Sequence, residues 1–214
     1  DFRGMGDNGQ AKQLYQEVIS SSAENRYKTE AADGMAELTL PEIDAKISAD
    51  NLQGALSSIR TFLDSYPTSK KDDFTRRAGD VVDKMIAAGK EDEALKVIAE
   101  FTSRYSSGND SLLDSKKVEI LEKKGDFAAF KAAVLDFDAK YSRSAPSTAN
   151  ALLVKLVQKW ESGTNKDEAG IQALVDKLDE MSKPVVLSTL DQKMTLGDFR
   201  KMVADATRAR KKLV

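Results

Sequence analysis

Asp72-Asp73 and the run Glu91-Asp92-Glu93 are the closest groupings of carboxylates along this chain, and acid–base chemistry here would have to rest on such pairs. Among 214 residues there is no histidine and no cysteine. The commonest general base and metal ligand is therefore missing, and disulfides, thiolate zinc sites and cysteine nucleophiles are ruled out. Carboxylates, Lys, Ser and Tyr remain. Both acidic groupings fall at the start of a predicted helix, where the helix dipole and capping favour negative charge whether or not any reaction occurs. No glycine-rich phosphate loop is present and no metal-ligand spacing stands out. The expectation is a protein without catalytic residues, cofactor or bound metal, whose chemistry is recognition.

The elements that would present a recognition surface are helical, and they repeat. Phe62 and Tyr66, Phe101 and Tyr105, and Phe137 and Tyr141 form one four-residue pair three times, at spacings of 39 and 36 residues. Ile59, Ile98 and Val134 stand three residues before each Phe, and Ala55, Ala94 and Phe130 seven before it, so the copies share a helix face. Helices expected over about 71–88, 111–124 and 147–162 each end at a glycine (Gly89, Gly125, Gly163), a second marker with spacings of 36 and 38. Trp160 follows the register of Leu153, Leu156 and Val157, which gives it a core role. A long helical unit with no strand-like alternation buries its apolar face by stacking on neighbouring units.

Residues 1–9 read as a flexible lead-in, and 10–182 as the repeat domain. Within it, helices are expected over about 10–21 and 24–38, a short helical piece between Pro41 and Asp50, and a long helix over 52–66 stopped by Pro67. A further helix is expected over about 167–181. From Pro184 the pattern changes. Residues 183–214 read as a cap or the start of another domain: an extended run Val185–Leu190, a turn at Asp191-Gln192-Lys193, and a last helix capped by Thr195 with Asp198 three residues on. The fold class expected is all-α, an α-solenoid of about four antiparallel helix pairs followed by a short β-hairpin or extended segment and a final helix.

Region 10–181 resembles the tetratricopeptide-like (TPR-like) repeats, in the degenerate form with a Tyr-Pro-x-Ser corner found in bacterial envelope proteins. Tyr66-Pro67-Thr68-Ser69 matches that corner, and Tyr105-Ser106-Ser107 and Tyr141-Ser142-Arg143-Ser144 keep the Tyr and a Ser. The resemblance implies an adapter or scaffold that binds a protein or peptide along a concave face, in a periplasmic or envelope-associated setting, with the cytoplasm as the alternative. Val186–Phe199 resembles the opening segment of periplasmic parvulin-type chaperones, or the start of thioredoxin-like envelope oxidoreductases. That implies an alternative role as the helical accessory region of a larger protein. No Cys-x-x-Cys follows, so oxidoreductase chemistry cannot reside in this chain.

The ligand-facing candidates are polar or small residues on the first helix of each pair, away from its apolar face: Ser57, Arg60, Lys96, Glu100, Lys131 and Asp138. The Phe side chains of the repeated pair are expected between helices, with each Tyr hydroxyl at the rim, meeting water or backbone. The formal charge of −2 covers a gradient: residues 1–50 hold ten acidic and five basic side chains, residues 198–214 two and six. Cations in a last helical turn are favoured by the dipole alone. The basic tail lacks interleaved aromatics, so nucleic acid is not an expected partner. No run approaches the roughly 20 apolar residues of a membrane span. The chain starts at Asp1 and not at Met, which leaves room for a removed leader, signal peptide or lipid anchor.

Overall fold

Asp50, Gly89 and Gly125 each hold a positive φ (56°, 71° and 77°), and each is followed by the N-cap of a helix. In the computed structural model, which describes residues 8–108, 110–162, 186–189 and 192–195, these three points divide the helices into successive pairs. Two glycines fill left-handed positions at no steric cost. Asp50 fills the third, a copy that a search for stop glycines passes over. The capping chemistry also recurs, since Asn51 accepts from the Gly54 N–H and Asp126 from the Ala129 N–H, both at 3.0 Å.

The helices are α1 (Asn8–Ser20), α2 (Asn25–Ser48), α3 (Leu52–Ser65), α4 (Lys71–Ala87), α5 (Glu91–Arg104), α6 (Asp110–Lys123), α7 (Phe127–Tyr141) and α8 (Pro146–Ser162). The described residues are thus overwhelmingly helical. Asn8 and Gly9, expected in a lead-in, already belong to α1. The short piece expected between Pro41 and Asp50 is instead the second half of α2, which runs through Pro41 without a break. Proline removes one helical hydrogen bond and crowds the preceding turn, at a cost of ~3 kcal/mol or more. The apolar stripe on both sides of it, from Ala31, Met35 and Ala36 to Ile43 and Ile47, is buried, and that burial outweighs the local cost.

Packing divides the chain into two units, Asp1–Ile120 and Leu121–Val214. In the first, each helix from α1 to α4 packs on the next, and α2 also packs on α4. Its core joins Leu56, Ile59, Phe62 and Leu63 of α3 to Phe74, Val81 and Met85 of α4 and to Ile98 and Phe101 of α5. Phe62 stacks on Phe74, ring centroids 4.1 Å apart and planes 11° from parallel. The far end of the Tyr15 ring of α1 meets α2 where Gly34 leaves room for it, for a β-carbon at that position would come within 2.4 Å of the tyrosine Cζ.

In the second unit α7 packs on α8, and α8 lies beside β1 (Val186–Thr189), which pairs antiparallel with β2 (Gln192–Thr195). Gln192 and Lys193, expected in a turn, are strand residues. The helix expected over 167–181, Gly163, the Trp160 side chain and the last helix capped by Thr195 lie outside the described residues.

Candidate functional site

The Phe-x-x-x-Tyr pair has the same geometry in all three copies. Ring centroids are 5.0, 5.1 and 4.9 Å apart, with planes tilted by 55°, 48° and 52°. The Phe rings are 5%, 0% and 1% exposed. Tyr66 and Tyr105 occupy the C-caps of α3 and α5, where each backbone N–H donates to the carbonyl of its own Phe partner. Their hydroxyls bond to side chains of an earlier helix rather than to backbone. Tyr66 donates to Gln16 Oε1 of α1 and Tyr105 to Asp64 Oδ1 of α3, both at 2.7 Å. These two copies are thereby each tied to the first helix of the pair before.

Asp64 also receives Arg104 Nη2 at 2.9 Å, while the Arg104 guanidinium lies 5.1 Å from the centre of the Tyr105 ring. Burial, and then the bond to Asp64, push the Tyr105 phenol up to about 12. One turn away, Arg60 of α3 clasps Glu100 of α5 in a bidentate pair, Nε to Oε1 and Nη2 to Oε2, each 2.8 Å. The bond to Glu100 raises the Arg60 pKa further above its ordinary value.

This geometry sorts the six ligand-facing candidates. Ser57 on α3 and Lys96 on α5 are exposed. Arg60 and Glu100, expected to face a ligand, bond to each other and serve the contact between α3 and α5. Lys131 is half-buried. Asp138 is fully buried, contrary to its expected place on an open face. Its register explains this: Phe130, Val134 and Asp138 follow at four-residue steps, and all three are buried. The acidic groupings occupy the first turns of α4 and α5. Asp72 there accepts the Gly108 N–H at 3.0 Å, which holds the corner between α5 and α6. Ser69 donates to Asp33 at 2.7 Å across the preceding corner, in the same 36-residue relation.

Among the described residues no three carboxylates gather as a metal site would need. No described helix is long and apolar enough to cross a membrane. No protein-family model, curated protein or solved structure matches the chain. Of the six candidates, α3 and α5 leave exposed one hydroxyl, on Ser57, and one ammonium, on Lys96.

Proposed function

We propose that this chain is a non-enzymatic module for protein binding or scaffolding, an α-solenoid of tetratricopeptide-like helix pairs that acts as an adapter in a multiprotein assembly of the bacterial envelope. The observation that carries it is the recurrence of one corner. Three Phe–Tyr pairs share one geometry, and two of their hydroxyls are bonded one pair back. Units that bury their faces only against neighbours produce such recurrence, and they present an extended surface to a partner. Ser57 and Lys96 belong to that surface. Envelope placement is supported by the Tyr66-Pro67-Thr68-Ser69 corner, and a protein or peptide is the ligand such a surface fits.

A photo-cross-linking amino acid at Ser57 and Lys96, with the exposed Arg76 and Glu119 of α4 and α6 as controls, tests the assignment in cells of the source. One and the same protein cross-linked from Ser57 and Lys96, and not from the controls, is expected. Cross-links from the controls alone would place the binding surface elsewhere, and none from any position would remove the binding role. The strands β1 and β2 beside α8 favour a second reading, an accessory region of a larger parvulin-type chaperone or thioredoxin-like enzyme, because a free-standing helix stack has no need of them. A further hundred or so codons of α/β pattern beyond Val214 would favour that reading, and a stop codon would favour the adapter.

A further inference from the structure

Three acids along α2 and just past its end face three bases along α4 and its N-cap. Glu37 lies 3.7 Å from Lys70 at the N-cap of α4, Asp44 accepts from both Nε and Nη2 of Arg77 at 3.0 and 3.2 Å, and Asp50 just past α2 accepts from Lys84 at 2.5 Å. The members advance along both chains in steps of six or seven residues, two helical turns, so α2 and α4 run in the same direction with their charges in step. Asp83 of α4 is paired in the same sense with Lys116 of α6. In the second unit Glu122 is paired with Lys155. The pairs 44/77, 83/116 and 122/155 each span 33 residues, and each follows the last by 39.

The residues between the bases of α4 are acids. Going along that flank, Lys70, Asp73, Arg77, Asp80 and Lys84 alternate in sign at each helical turn. Sliding α4 back along α2 by three residues would bring Asp73 opposite Glu37 and Asp80 opposite Asp44. Sliding it forward by four would bring Asp73 opposite Asp44 and Asp80 opposite Asp50. Either slip turns two attractions into repulsions between like charges. The same backward slip of α6 on α4 would put Glu119 where Lys116 meets Asp83. The apolar side of α4, with Phe74, Ala78, Val81, Val82 and Met85 buried and Phe74 stacked on Phe62, adds its own preference for this register, and the charges reinforce it along the contact with α2. We propose that this alternating seam selects the register in which α4 packs on α2 and α6 on α4, and so keeps successive helix pairs from sliding by a turn.

Two variants of unchanged overall charge separate this from incidental surface pairing. The moved-base variant, Lys70→Asp, Asp73→Lys, Arg77→Asp and Asp80→Arg together, shifts two bases by one turn, which gives the native register two repulsions and the slipped one two attractions; Asp44→Arg with Arg77→Asp inverts one pair and leaves the register attractive. Because the chain has no cysteine, cysteines introduced at Thr29 and Ala87 take spin labels cleanly, and the distance between them reports the α2–α4 register. The moved base is expected to add a second distance component shifted by about 5 Å, one helical pitch. It should also lower Tm by roughly 2–4 °C, the shift that a loss of about one exposed pair makes in a chain of this size. The inverted pair is expected to keep a single distance and to melt above Arg77→Asp alone. A single unchanged distance for the moved base would overturn the proposal. So would an inverted pair no more stable than Arg77→Asp, an outcome readable even if the moved-base variant does not fold.

Discussion

Phe62→Ala is the perturbation in which the repeated corner and the helix packing are tested together. The ring is 5% exposed, stacked on Phe74 of α4 at 4.1 Å and tilted against Tyr66 at 5.0 Å. Truncation removes the transfer free energy of the ring and leaves a cavity between α3 and α4, a loss of ~3–5 kcal/mol. Of this, each aromatic contact accounts for about 0.5–1.5 kcal/mol beyond the buried area. Since whole-chain stability is typically ~5–15 kcal/mol, the variant should remain folded but melt roughly 6–20 °C lower. Urea melts followed by far-UV circular dichroism give the loss directly. Phe74→Ala and the double variant close a cycle whose coupling should be about 0.5–1.5 kcal/mol. A loss under about 1 kcal/mol for Phe62→Ala, or strict additivity with Phe74→Ala, would refute the placement of that ring between the helices. The same small loss at Phe101 as well would sink the repeat alignment.

Gly34→Ala should destabilise by roughly 1–3 kcal/mol, the usual cost of overpacking, because its new methyl group meets the Tyr15 ring. In thermal melts the cost should largely vanish in a Tyr15→Ala background. Tyr105 should ionise near pH 12, above an ordinary phenol at ~10. The folded state therefore holds this proton more tightly than the unfolded chain, so its contribution is intact below about pH 10 and is lost as pH rises towards 12. Ultraviolet titration of the tyrosines should show a late component that Tyr105→Phe removes; an unchanged titration in that variant would count against the bond to Asp64.

How far the sequence could be read depended on whether a residue's role is decided by its own helix or by a distant one. Helix faces belong to the first kind. The i, i+3, i+4 spacing of Ala55, Leu56, Ile59, Phe62 and Leu63 is local, and all five are buried. Asp138 was legible by the same rule, four residues beyond Val134, but its charge suggested an open face and the register was overruled. Pro41 is the reverse case, where a strong local signal yields to the apolar stripe on either side of it. Arg60 and Glu100 belong to the second kind, since nothing within either helix records that they lie within 2.8 Å of each other across 40 residues.

The 33-residue charge pairs stand between these cases. Each pair depends on tertiary geometry, yet because the geometry recurs, Asp44, Asp83 and Glu122 leave a 39-residue trace in the sequence, and Arg77, Lys116 and Lys155 leave another. A search for aromatic and glycine repeats does not see them, because charges on a helical surface look interchangeable until their partners are known. The same distinction separates contacts inside the chain from contacts with a partner. Contacts that recur inside the chain mark it twice, once on each partner, whereas an exposed Ser57 or Lys96 marks only one side of whatever contact it makes.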